Sequence, residues 1–449
     1  MSERRSHRGN LAGGAPYRLE VPPNWSGRLI LCSHGPLVPA EDPYFPDSPL
    51  MSAFLAQGYA IAGWATTKFW HLEDAFRLQP LVLDAVERTI GRPERTIAYG
   101  QSIGGLITAG LTQVAPGRLG GALAVCGPLA GGVATENRQL DQQFVVKTLL
   151  APGRDLDLVR IRDRAKNLGA AHGILAEAKQ TAQGRARLAL AAALTNVPGW
   201  ADATTPRPQG AAGRVAAQIA WFERIVFLVI FAARATVEER AGGNPSWNTS
   251  VDYRARLDRS LSRDDVSAMY AEARLHLEAD LGTLDRAPRI DADPDAVEYM
   301  ERHIAFDGYL RVPVVTMHTT GDGLCTPDHE QSFADVVRSA GRGDMLRQLW
   351  IERGGHCSFS IAETLVALNV LNARLDDDRW PNLAPDALRR AAAALGPDLN
   401  VGATFGPEHS VGAFTYGRPA EMPAAFVDFE PSLFPRPHDI RHVRARMGS

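Results

Sequence analysis

Three residue types that can share the work of nucleophilic catalysis stand at the ends of apolar runs in this chain. Ser102 lies in Gly100-Gln101-Ser102-Ile103-Gly104, Asp322 closes the run VPVVTMHTTGD, and His356 follows MLRQLWIERGG. A serine hydroxyl is a weak nucleophile until an imidazole takes its proton, and that imidazole needs a carboxylate to fix its tautomer and stabilise its charge. The flanking glycines suit the purpose. Gly100 and Gly104 remove side chains where a sharp strand-to-helix turn brings backbones together, which lifts the serine clear.

Each residue has a rival. Asp328 lies close to Asp322, but it reads as a helix N-cap, whereas Asp322 directly terminates an apolar run. His318 sits inside that run and reads as a packed core histidine, and His329 falls in the first turn of the next helix. His356 is therefore the expected base.

Elements able to position these residues are legible on either side of them. Short runs rich in Val, Ile and Ala read as buried strands: GRLILCSHG (27–35), GYAIAGWAT (58–66), RTIAYG (95–100), GALAVCGPL (121–129), VPVVTMHTTGD (312–322) and MLRQLWIERGG (345–355). Helical patterns such as SPLMSAFLAQ, DAFRLQPLVLDAVERTI, GGLITAGLTQVA, DHEQSFADVVRSA and AETLVALNVLNARL lie among them. The alternation predicts an α/β fold with a mostly parallel sheet covered by helices on both faces.

The alternation stops at Pro128 and resumes near Val312. A gap of roughly 180 residues must fold into something of its own. Its sequence is rich in strong helix formers, so a helical insertion is expected over 130–310, splitting the core into 1–129 and 311–375. GWADATTPRPQGAAG (199–213) reads as a surface loop within it. The C-terminal extension, 376–449, holds the short helix APDALRRAAAALG and then Phe405, Phe414, Tyr416, Phe426, Phe429 and Phe434, aromatics that predict packing on the body.

Four pieces now carry a resemblance: SHG after an early strand, GQSIG at the elbow, HTTGDGLCTPDH around the acid and RGGHCSF around the histidine. In the order serine, acid, histidine, each at a strand end, they resemble the esterase/lipase-like serine hydrolases of the α/β-hydrolase superfamily. The resemblance spans 1–129 and 311–375. It implies catalytic roles for Ser102, Asp322 and His356, and a helical cap between core strands 6 and 7 whose underside shapes the substrate pocket.

The resemblance also implies an oxyanion hole made by the amide of Ile103 and that of a residue after the early His-Gly. The next residue here is Pro36, which has no N–H, so the second donor is expected at Leu37, or else from Gly35 or a side chain. Candidate substrate contacts are His34 and Gln101 beside the elbow, Trp221 and Phe227 on the apolar helix 214–240, and Trp247 in GGNPSWNTSVDY. That helix is apolar on more than one face, which predicts a fairly apolar substrate. Tannase and feruloyl-esterase relatives tie catalytic loops together with cysteines directly before the serine and the histidine. Gln101 and Gly355 occupy those places here.

Composition excludes other partners. Lys and Arg total 48 against 51 Asp and Glu, a net charge of −3, so no footprint for nucleic acid exists. The uncharged run Ile225 to Ala233 falls far short of the ~20 residues that span a bilayer. MSERRSHRGNLAGG lacks the apolar core of a signal peptide, and a cytoplasmic location is expected. Cys32, Cys126, Cys325 and Cys357 show no zinc-type spacing; free thiols are expected, with a Cys325–Cys357 bridge the alternative.

The expected activity is hydrolysis of a small-molecule carboxylic ester, with thioesters and lactones in the same chemical class, through an acyl-enzyme on Ser102. No cofactor or metal is required. The alternatives are an acyl-transferring cyclase or acyltransferase, an aminopeptidase-like amide hydrolase, and a non-catalytic ligand-binding protein on the same fold.

Overall fold

The computed structural model describes residues 3–35, 48–64, 66, 68–403, 419–432 and 436. Among them, nine strands form one sheet in the order β1-β2-β4-β3-β5-β6-β7-β8-β11. β3 (Arg28–Ser33), β4 (Tyr59–Trp64), β5 (Arg95–Gln101), β6 (Gly121–Val125), β7 (Val314–Gly321) and β8 (Leu346–Gly354) run parallel. β1 (Arg5–Asn10) and β2 (Pro16–Val21) add an antiparallel edge through β4, and β11 (Phe426–Val427) pairs antiparallel with β8. A separate pair joins β9 (Val401–Ala403) to β10 (Pro419–Glu421).

The parallel strands are buried because helices cover both faces of the sheet, which is why they read as continuous apolar runs. α1 (Pro49–Ala56) and α14 (Ile361–Asp377) pack on one face, with Phe54, Leu365 and Leu368 in the core there. α2 (Leu72–Ile90), α3 (Ile103–Val114) and α13 (Asp328–Ser339) cover the other, contributing Val82, Leu106 and Phe333. α1 starts where Ser48 accepts from the Met51 amide ahead of Pro49.

Between β6 and β7 the chain forms helices only: α4 (Gly132–Leu150), α5 (Arg164–Ala178), α6 (Ala182–Ala193), α7 (Gly210–Trp221), α8 (Arg234–Ala241), α9 (Tyr253–Asp258), α10 (Arg263–Glu272), α11 (Leu277–Arg286) and α12 (Pro294–Arg302). They have a core of their own around Phe222, Phe227, Ile230 and Tyr253. α7 and α8 are the ends of one continuous helix, Gly210–Ala241, with π-type turns at Phe222–Val226 and Val229–Ala233. Carbonyls at the second π turn are satisfied by buried amides: Gln143 donates to Ile230 O at 2.6 Å and Asn167 to Phe231 O at 2.9 Å. The helix is long and apolar enough to cross a bilayer by composition, yet 61% of its most apolar window is buried within the protein.

Two expectations for the loops need amendment. GWADATTPRPQGAAG is exposed from Thr204 to Arg207, but Trp200 and Ala201 at its start are buried. In the C-terminal extension α15 (Pro385–Ala394) forms, Phe426 is buried in β11 and Phe429 meets Trp350 edge-on at 5.0 Å. Phe405, Phe414, Tyr416 and Phe434 lie outside the described residues.

Candidate active site

β5 delivers Ser102 to the carboxyl edge of the sheet, and α3 begins at the next residue. The serine takes φ +59° and ψ −126°, a conformation an L-residue holds only when its surroundings force it. Those surroundings are crowded. A Cβ on Gly104 would lie 2.1 Å from Ser33 O, and one on Gly100 would lie 2.3 Å from Gly104 O, so neither position admits a side chain.

The three residues meet at that edge. Ser102 Oγ is 2.9 Å from His356 Nε2, and His356 Nδ1 is 2.6 Å from Asp322 Oδ2. A carboxylate only accepts, so Nδ1 carries the proton and Nε2 presents its lone pair to the serine hydroxyl. The other oxygen, Asp322 Oδ1, accepts from the amides of Leu324 at 2.9 Å and Cys325 at 3.0 Å, which fixes the carboxylate plane. Asp322 and His356 are both buried. Serine, acid and histidine therefore sit in chain order at the tips of β5, β7 and β8. This is the α/β-hydrolase fold.

On this fold the histidine loop is held from three sides. Thr319 donates to Gly355 O at 2.7 Å. Arg353 donates to Ser358 O at 2.9 Å and forms a buried two-pronged pair with Glu363 at 2.7 and 3.0 Å. Glu363 also completes a capping box with Ser360 at the start of α14. A disulfide joins Cys357, directly after His356, to Cys126 at the end of β6.

The disulfide corrects the cysteine expectation. Cys126 and Cys357 are bonded, and the buried thiols are Cys32 and Cys325. Residues 231 apart in sequence are neighbours because β6 lies beside β5 and β7, bringing its tip under the histidine loop.

The insert grips both the acid loop and the start of the histidine loop. Trp221 lies against Gly323 and Trp200 against Gly354, where an added Cβ would in each case come 2.6 Å from ring atoms. Arg138 of α4, wholly buried, donates to Thr195 O at 2.9 Å and, at 3.4 Å each, to the carbonyls of Gly323 and Leu324. Burial lowers its pKa, while Asp328 and Asp322 act in the opposite direction.

The remaining site candidates divide. Ile103 is the first residue of α3, where an amide has no intrahelical acceptor. Gly35 lies beside the serine: a Cβ there would be 3.9 Å from Ser102 Cβ. Leu37 is outside the described residues. His34 is buried, donates through Nδ1 to Gly35 O at 2.7 Å and stacks on His71 at 5.4 Å; burial lowers its pKa. Gln101 is half-buried next to the serine and donates to the Tyr99 hydroxyl at 2.7 Å.

Phe227 and Trp221 lie in the packed interior. Phe227 is 0% exposed, stacked between Phe222 and His172 in the insert's own core, and Trp221 is 2% exposed beneath the acid loop. The many-sided apolarity of their helix reflects burial on several sides. Trp247 is half-buried against the core under α2 and α3, its amide bonded to Asn137. The rivals of the triad are accounted for as well. His318 donates to Thr319 O inside the core, His329 accepts from the Ala130 amide, and Asp328 bonds Thr326 and Asn196 from the first position of α13, so it is not the cap residue expected.

Arg138, Arg353, Thr319 and Cys126 could not be picked from spacing. The one sequence signal was the capping box, Ser360 followed by Glu363 ahead of an apolar run.

No protein-family model matches the chain. It is 28% identical over 418 residues to o-phthalyl amidase of Xanthobacter agilis, covering 86% of this chain and 90% of the relative. Among solved structures, feruloyl esterase B of Aspergillus oryzae aligns with TM-score 0.42 and 13% identity over 84% of this chain and 82% of its own. The rice cell wall degrading esterase LipA of Xanthomonas oryzae aligns with TM-score 0.36 and 12% identity over 84% and 91%.

Proposed function

We propose that the protein is a serine hydrolase that forms an acyl-enzyme on Ser102 from a small carboxylic ester or amide. The observation that carries this is the unbroken hydrogen-bonded chain from Ser102 Oγ through His356 to Asp322, with Oγ held at 2.9 Å from Nε2. His356 takes the hydroxyl proton as Oγ attacks the carbonyl carbon, then delivers it to the leaving alkoxide or amine. Asp322 keeps Nδ1 protonated and stabilises the imidazolium. The amide of Ile103, with Gly35 or Leu37, receives the developing oxyanion. Water activated by His356 then releases the acid.

The amidase relative brings the amide reading level with the ester reading: its name describes cleavage of an amide, and it spans most of the chain. Removal of an N-acyl group ending in an aromatic ring with a second carboxyl substituent is the first case to try. A ligand-binding role alone is disfavoured, since it needs neither a strained serine nor an oriented imidazole.

The test is turnover of matched p-nitrophenyl esters and p-nitroanilides, from acetyl to long acyl chains and including phthalyl, by the wild type and by Ser102→Ala. Turnover that disappears in Ser102→Ala supports the serine mechanism, and the preferred leaving group separates esterase from amidase. A wild type inert on the whole panel and unlabelled by an organophosphonate ends the proposal.

A further inference from the structure

The Cys126–Cys357 disulfide lies against the reacting atoms themselves. Cys357 Sγ is 3.4 Å from His356 Nε2, the nitrogen that faces Ser102. One ligand atom from each of Cys126, His356 and Cys357 falls within 4.8 Å of the others, the one such group of three among the described residues. Bonded to each other, the sulfurs have no thiolate to offer a cation.

We propose that reduction of this disulfide creates a binding site for a soft divalent cation of the zinc type, formed by Cys126, Cys357 and His356, and that its occupation shuts off Ser102. The last clause rests on the serine hydrolase reading. A dithiol supplies two electrons and two protons, leaves as its own disulfide, and yields two cysteine thiols. The cation displaces both thiol protons to solvent and takes the Nε2 lone pair. His356 then has no lone pair for the serine proton.

Two features of the geometry favour the site. Tetrahedral coordination at about 2.3 Å to sulfur and about 2.0 Å to nitrogen needs ligand atoms about 3.5–3.8 Å apart. Cys357 Sγ and Nε2 already stand at 3.4 Å, and the 5.7 Å between the cysteine Cα atoms lets the sulfurs part by side-chain rotation. Second, the imidazole is already prepared as a ligand: Asp322 at 2.6 Å holds the proton on Nδ1, the carboxylate–histidine arrangement that orients imidazole toward metals. Ser102 Oγ or water takes the fourth position.

The full-length chain, oxidised and then reduced by a dithiol and desalted under nitrogen, is titrated with Co²⁺ and back-titrated with Zn²⁺. The expected result is a thiolate-to-cobalt absorption band in the reduced protein alone, and Zn²⁺ affinity at least ~100-fold above that of the oxidised protein. His356→Ala, which keeps both thiols, should bind ~10–100-fold more weakly, and Cys126→Ser/Cys357→Ser sets the background from Cys32 and Cys325. Organophosphonate labelling of Ser102 should fall with Zn²⁺ occupancy in the reduced wild type and stay unchanged in the oxidised one. Equal affinity in the two redox states, no thiolate band, or loss of fold on reduction overturns the proposal. Absence of labelling in the oxidised wild type instead sinks the hydrolase reading, while the cobalt band still decides the site.

Discussion

The indole of Trp221 lies flat on the backbone of Gly323, one residue beyond Asp322, so close that a methyl group on the glycine would sit 2.6 Å from its ring carbons. The long helix of the insert thereby sets the height of the acid loop. Gly323→Ala should destabilise the fold by about 1–3 kcal/mol and lower kcat. In a Trp221→Leu background the same alanine should cost far less, and a double-mutant cycle on chemical unfolding measures the coupling. Additive effects would show that the two residues are independent.

Asp322 accepts hydrogen bonds from His356 Nδ1–H and from two backbone amides, so Asp322→Asn should keep the fold while inverting the tautomer of His356. A loss of kcat on the order of 10⁴ is expected, with substrate affinity nearly unchanged. Steady-state kinetics on the best substrate checks it.

Arg138 reaches three carbonyls, two of them on the acid loop. Arg138→Met should lower stability by about 2–4 kcal/mol and reduce kcat more than it raises KM, because buried carbonyls lose their donor and Asp322 loses its support. Arg138→Lys, with one point donor in place of a fork, should recover little. If kcat/KM stays at wild-type level in both, the strut is dispensable.

Glu136 and Glu238 share the buried Arg234, which also bonds Asn244 and Ser246. One cation cannot neutralise two carboxylates. Burial, reinforced by Glu238 and opposed by Arg234, lifts the Glu136 carboxyl from 4.5 to about 7. Between those values the folded chain keeps a proton that the unfolded chain releases, so stability should fall as pH rises through the window, by on the order of 2–3 kcal/mol. Glu136→Gln mimics the protonated acid and should flatten that slope in urea titrations from pH 4.5 to 8.

The core strands were legible because parallel strands covered on both faces leave unbroken apolar runs, and Ser102, Asp322 and His356 could be found because each follows one. β1 and β2 left no such trace. RSHRGN lies at the sheet's edge, and PYRLEV beside it carries charge that is paired in place: the buried Glu20 accepts from Ser6 of β1, from Arg4 just before it and from Arg18 on its own strand. Pairings such as Cys126 with Cys357 depend on strand order, which no local pattern encodes. Nor could local pattern place Phe227 in the insert's core, since a helix surrounded by its own insert and one facing a ligand show identical apolar excess.

α4 is buried without interruption from Gly132 to Val146, although much of it is polar. Its Glu136, Asn137, Arg138, Asp141 and Gln143 find partners on the long helix, the 244–253 loop, the acid loop and the C-terminal Arg436. Two of these partners, the Gly323 carbonyl and Arg436, lie beyond residue 310, so an insert cut out over 130–310 would leave Arg138 and Asp141 without them. Insert and sheet are therefore expected to unfold as one body, with coincident urea transitions when the two are followed by separate probes.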